Sequence, residues 1–281
     1  MPAPLDKTNE RLRARSRSRT RSGRPAAKGR GYAKKPAASS WSFSSPVPSF
    51  LLRFWPAVFM AVSIVAVVFL PIDQEQGIFV EPSAADSRRA MLTSPPFVYC
   101  VGATLMALRW AYGKKGAAKM SDVEQMAMVW HLTNATWWSC GCDSFSGLFQ
   151  IMPRMRTVYR ILDTKHGVNW DDQTMPLPWN PNRAALDSVY WAETTVHVPL
   201  AWLTFYLYAT RSKKRYLTEA FLGGVQFVGC FGYYGPETLA WLHGFATTWP
   251  DNQIIWWIGV GCVPLVWCAF PIGLTVRALM K

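Results

Sequence analysis

From Phe50 onward the chain alternates long apolar runs with polar connections. The runs fall at 50–72, 97–113, 123–141, 186–210, 217–235 and 254–276. A helix needs about 20 residues to cross about 30 Å of hydrocarbon, and each run comes near that length. The second and fifth are the most marginal, so five spans is the alternative count. The expected fold class is all-α, a polytopic transmembrane helix bundle of about six spans.

The charges on the connections fit that count. Lys114, Lys115 and Lys119, then Arg211, Lys213, Lys214 and Arg215, then Arg277 and Lys281 would all face one side. The other side receives "PIDQEQGIFVEPSAAD" and "GPETLAWLHGFATTWPD", which are poor in basic residues. The positive-inside rule then puts both termini in the cytosol. The long connection 143–185 mixes charges, aromatics and prolines and is expected to form a lumenal cap. The organisation that follows is a disordered basic tail (1–48), two N-terminal transmembrane helices (49–120) and a membrane domain (121–281) carrying that cap.

Composition sharpens this picture. Half of the 281 residues are apolar and 15 are tryptophan, too greasy for an ordinary soluble enzyme. The net charge is +13, but residues 1–40 hold 12 Lys/Arg against Asp6 and Glu10. The basic character therefore belongs to a tail, and no nucleic-acid partner is expected. A cytosolic topology signal or an organellar transit peptide would both look like this tail. Six cysteines show no disulfide framework, and Cys140-Gly141-Cys142 lacks the further ligands a metal site needs. No nucleotide-binding loop or hydrolase elbow appears, so neither cofactor nor metal is expected.

Few polar groups interrupt the apolar runs. The third run carries His131 and Asn134, the fourth Glu193 and His197, and the fifth Gln226. At 1.5 Å per residue, His131, Glu193 and Gln226 lie ~14, ~9 and ~13 Å from the lumenal ends of their helices, in one layer. Glu193 and His197 are four apart and share a helical face. Ionisable groups inside a membrane usually face a bundle interior or a cavity. A histidine and a carboxyl in such a place suit proton transfer, giving a proton to one carbon of a lipid alkene and taking one from its neighbour. A carbocation between those steps would want an aromatic face, which Trp267 or Trp137 could supply. His131 could equally be a helix-to-helix hydrogen-bonding group, and His197 a partner that tunes Glu193.

These residues resemble the emopamil-binding protein (EXPERA) superfamily, the group of the sterol Δ8–Δ7 isomerase and the sigma-2 receptor. The resemblance runs over about 123–279. "HLTNATWW" is similar to the isomerase's His-Leu-x-x-Glu-Gly-Trp segment through His131, Leu132 and Trp137. "AETTVHVPL" resembles the superfamily's Glu-plus-Pro helix, "GGVQFVGCFGYY" its Gly-Gln-x-x-Gly helix, and "VPLVWCAFPIG" its last helix. The resemblance implies that His131 and Glu193 are a catalytic proton-handling pair. It implies Trp267 against the cation and Gln226 as a polar pocket residue, and the expected substrate pocket is completed by Asn134, Trp137 and His197 from their places in the apolar runs. It also implies a sterol or terpenoid lipid partner and an endoplasmic reticulum membrane, with homodimerisation left open. Ala135 stands where the isomerase has its second glutamate, and Pro264 where it has an asparagine. The two readings are a cofactor-independent double-bond isomerase and a non-catalytic sterol- or lipid-binding membrane protein. The isomerase is the leading reading, and Ala135 with the Glu193-to-Pro199 spacing favours the binder as the alternative.

Overall fold

The computed structural model of the protein describes residues 49–69, 84–167, 181–245, 247, 249 and 253–281. The basic tail, the connection 70–83 and the cap residues Trp170, Pro176, Pro178 and Trp179 lie outside the described residues. The regular structure among those described is helical throughout.

Helix α1 spans Ser49–Phe69 and α2 spans Ala84–Thr93. After Ser94, two prolines open α3 (Pro95–Gly113), where a missing N–H costs nothing. Helix α4 (Asp122–Thr133) starts on a capping box: Ser121 takes the Glu124 amide while the Glu124 carboxylate reaches back to the Ser121 amide. It runs on without a break as a wider π segment, Asn134–Leu148. Helix α5 (Pro153–Leu162) and a short 3-10 turn (Thr164–Gly167) follow. Then α6 (Pro181–Ala192), a π turn (Glu193–His197) and α7 (Val198–Ala209) form one rod. The last elements are α8 (Arg215–Leu242), α9 (Gln253–Trp256), two π turns (Trp257–Cys262 and Leu265–Ala269) and α10 (Phe270–Leu279).

A helix therefore stands at each of the expected apolar runs, with three differences. Helix α2 forms in a stretch expected to be only a connection. The third run continues past Cys140 to Leu148. The fifth passes straight through Gly235-Pro236 to Leu242. In apolar surroundings, unpairing several backbone groups costs more than the one bond a proline removes, so the helix continues. Among the described residues, two stretches are long and apolar enough to cross a membrane, Ser49–Phe69 (mean hydropathy 2.1) and Val260–Leu279 (1.7). The other runs are more polar on the faces they turn inward.

Helix α4 is the axis of the bundle. Its Met128, Trp130 and Leu132 are fully enclosed, packed by α1 and α7. Around it α8 is built inside out. Its buried face carries Glu219, Gln226 and Cys230, while Leu217, Phe221, Val228 and Phe231 point outward at 60% exposure or more. A soluble helix does the reverse, because exposed apolar area costs about 25 cal/mol per Å² in water. Such a surface suits a lipid environment. One end of the bundle is tied by three ion pairs: Arg53–Asp122 (2.6 Å), Arg215–Glu124 (2.8 Å) and Arg277–Glu219 (2.6 Å). These pairs join the starts of α1, α4 and α8 to the end of α10.

Candidate functional site

A cavity of about 520 Å³ opens among α1, the π segment after α4, α5, α6, α8 and the π turns before α10. That is the size of a small-ligand chamber. One wall is apolar and aromatic, with Phe59, Val62, Met155, Trp138 and Trp267. Trp138 and Trp267 meet edge to face with centroids 4.7 Å apart. The ionisable groups on its lining are Asp143 and Glu193, and Asp163 and His166 beside Tyr190 and Tyr233.

Glu193 is held from behind. His197 Nδ1 lies 2.8 Å from Glu193 Oε2 and 2.6 Å from Ser139 Oγ, so serine, imidazole and carboxylate form one three-way contact. Gly229 on α8 faces the carboxylate, and a Cβ there would stand 3.7 Å from Glu193 Oε1. Asp143 reaches the same chamber from the α4 side, next to the Tyr159 hydroxyl. Glu193, Asp143, Trp138 and Trp267 all sit on π turns. An extra residue per turn re-aims a side chain without ending a helix, and such turns recur at functional sites. Pro199 lacks an N–H for the bond its position would make, which favours the wider register just before it.

Of the seven residues singled out from sequence, Glu193 and Trp267 line the cavity and His197 backs it. The rest lie elsewhere. His131 does not converge with Glu193. Its Nε2 is 3.5 Å from Glu219 Oε1 and its ring stacks on Tyr208, in the cluster that Arg277 closes. Glu219 and Gly229 are ten residues apart on α8, which separates the two acidic centres by about 15 Å along its axis. The expected single layer fails because depth along separate helices says nothing about which carboxylate each imidazole meets. Asn134 donates to its own helix at Trp130 O (2.9 Å). Trp137 donates to Ser63 Oγ (3.2 Å) and is fully enclosed. Gln226 is buried between the two centres, with Nε2 unpartnered among the described residues.

Several cavity residues were not singled out as site residues. Asp143 lies just beyond the expected end of the third run. Tyr190 precedes Glu193 by three residues and Tyr233 follows Gly229 by four, spacings that share a helical face. Glu219 and Gln226 are likewise seven apart, two turns on one face, a signal that was present in the sequence.

The polar end of the cavity forms a relay. The Tyr233 hydroxyl donates to Asp163 Oδ2 (2.9 Å) and contacts His166 Nε2 (2.7 Å), while His166 Nδ1 contacts the Tyr190 hydroxyl. The backbone amide of Lys165 donates to Asp163 Oδ1 (2.9 Å). Burial pushes the His166 imidazolium pKa down to about 4, with nearby Lys165, Arg183 and Arg156 adding to the effect against Asp163. The imidazole is therefore neutral in the folded protein. Unfolding returns it to about 6.5, so between about 6.5 and 4 the unfolded chain binds the extra proton. The His166 contribution to stability is full above pH 6.5 and is lost as pH falls towards 4. Thermal melts of His166→Gln should lose that part of the acid sensitivity.

Gly147 shows how tightly the wall is packed. A Cβ there would run into the Tyr190 ring. Gly147→Ala should displace Tyr190 and cost about 1–3 kcal/mol by overpacking, read as a lower thermal midpoint.

Residues 151–278 match the family model EBP: EXPERA (EXPanded EBP superfamily). The matched stretch contains Glu193, His197, Gln226 and Trp267, and it begins after His131, Asn134, Trp137 and Asp143. No curated protein and no solved structure matches the chain. That match, over the helical stretch that carries Glu193 and the tyrosine wall, supports membership of the EBP/EXPERA superfamily.

Proposed function

We propose that the protein is a membrane-embedded double-bond isomerase acting on a sterol or related terpenoid lipid, with Glu193 and Asp143 as its proton carriers. The observation that carries this reading is the pair of carboxyls facing one greasy chamber beside Trp138 and Trp267. One carboxyl gives a proton to an alkene carbon, forming a C–H bond and a cation at its neighbour. The other takes a proton from an adjacent carbon, and the C–H electrons close the new double bond. The electrons stay in the substrate, so no oxidant is called for, and exchange of the carboxyl protons with water between turnovers resets the site. Tryptophan faces favour the cation between the steps. His197 and Ser139 are positioning residues for Glu193.

His131 takes a different role in this account, as a buried partner of Glu219. Ala135, where the isomerase has a carboxylate, is fully enclosed by Ala201 and Leu222. Asp143 supplies the second acid from further along the same helix. Six spans, with both termini cytosolic and residence in the endoplasmic reticulum, belong to the same proposal, as does the division at residues 48 and 120. The inside-out α8 and the two apolar helices support a membrane setting.

The second reading is a non-catalytic sterol or lipid binder, favoured by Ala135 and by how completely His197 and Ser139 occupy one face of Glu193. Lipid mass spectrometry of cells with and without the protein tests the first. An isomerase converts one member of a pair of double-bond isomers into the other; a binder leaves their ratio unchanged.

A further inference from the structure

We infer that the relay of Asp163, Tyr233, His166 and Tyr190 is a head-group subsite that selects a neutral alcohol over a ketone or an ether. This rests on the lipid reading above and names the head group that the lipid carries. All four residues line the cavity, and the chemistry proposed for Glu193 and Asp143 uses none of them.

The selectivity follows from counting protons. A carboxylate only accepts, so the Tyr233 proton is committed to Asp163. The His166 Nε2 contact with Tyr233 then requires Nε2 to carry the hydrogen and Tyr233 to accept it. A neutral imidazole has one N–H, so Nδ1 is bare and must accept from the Tyr190 hydroxyl. Every proton in the relay is thus spent inside it. What it offers the cavity is oxygen lone pairs on Tyr233, Tyr190 and Asp163. A ligand hydroxyl can donate to them, whereas a ketone or a methyl ether brings another acceptor to a wall of acceptors. A cationic head is not what the wall calls for either, since the Asp163 carboxylate already takes two hydrogen bonds and lies beside Lys165.

The relay also fixes where chemistry falls on the ligand. Tyr190 precedes Glu193 by three residues, about 4.5 Å of helix rise. Tyr233 follows Gly229, which faces Glu193, by four residues, or about 6 Å. The double bond that moves therefore lies about one helical turn from the alcohol oxygen, in the same ring system rather than in a distant side chain.

The test is displacement of tritiated cholesterol from the full-length protein in lipid nanodiscs by cholestanol, cholestanone and cholestanol methyl ether. The alcohol should displace at roughly tenfold lower concentration than the other two, the scale of one buried hydrogen bond. Asp163→Asn should shrink or reverse that gap. Its amide can donate to Tyr233, which frees the tyrosine proton to meet a ketone. Equal displacement by all three in the unaltered chain overturns the subsite, as does a gap that Asp163→Asn leaves intact. If that variant does not fold, the head-group ranking in the unaltered chain still decides. A protein that ranks the head groups as stated yet puts no solvent deuterium into lipid keeps the subsite and loses the isomerase. A protein that binds no cholesterol at all loses both.

Discussion

Glu193→Gln is expected to lower lipid isomerisation by roughly 10²–10⁴-fold, the range general acid–base groups supply. Glutamine keeps the shape and can still contact His197 and Ser139, but its amide acts as neither acid nor base near neutral pH. Binding of the lipid should change little, because the cavity wall is otherwise untouched. Asp143→Asn should behave the same way if the two carboxyls act in turn. Ser139→Ala and His197→Gln should lower turnover less, since they hold Glu193 in place without touching substrate. Turnover that survives Glu193→Gln intact would remove the acid from the mechanism.

The second large effect concerns the fold. Glu219 is fully buried and receives Arg277 Nη2 at 2.6 and 2.7 Å on its two oxygens, with the Tyr208 hydroxyl at 2.7 Å. His131 stands at 3.5 Å from the same carboxylate. Glu219→Ala leaves Arg277 as an uncompensated charge, and removing one partner of such a pair costs about 3–5 kcal/mol. A drop in thermal midpoint on the order of 10 °C is expected for the purified protein. His131→Ala should cost less, since among the described residues its ring makes only the longer contact to Glu219 and no hydrogen bond. It should leave turnover largely intact in the protein that remains folded. That outcome separates the cluster at α8 and α10 from the cavity, and loss of turnover with normal stability would rejoin them.

The helices were legible because apolar runs near 20 residues leave little choice of structure once backbone groups must pair among themselves. Glu193 was legible too, as a lone carboxyl in such a run, and so was its contact with His197 four residues on. The partner of His131 was not. Two rods that carry polar groups at similar depths can still turn them to different neighbours, and rotation about each axis depends on packing. The π segments after Thr133 and at Glu193 shift that rotation further, and their only trace in the sequence is a proline such as Pro199. Asp143 was hidden by position, because the helix outlasts its apolar run by several residues. The tyrosine wall was missed for a plainer reason: tyrosine in a membrane helix reads as an interfacial anchor until its hydroxyl is seen to have a partner.

The central claim is that two carboxyls in one lipid chamber move a proton on and off a carbon skeleton. Incubating membranes that contain the full-length protein with a Δ8-sterol in deuterated water tests it most directly. The account predicts a shifted double bond in the product, with one solvent deuterium on the carbon that has left the double bond. A sterol that binds yet is recovered unshifted and free of deuterium would contradict it.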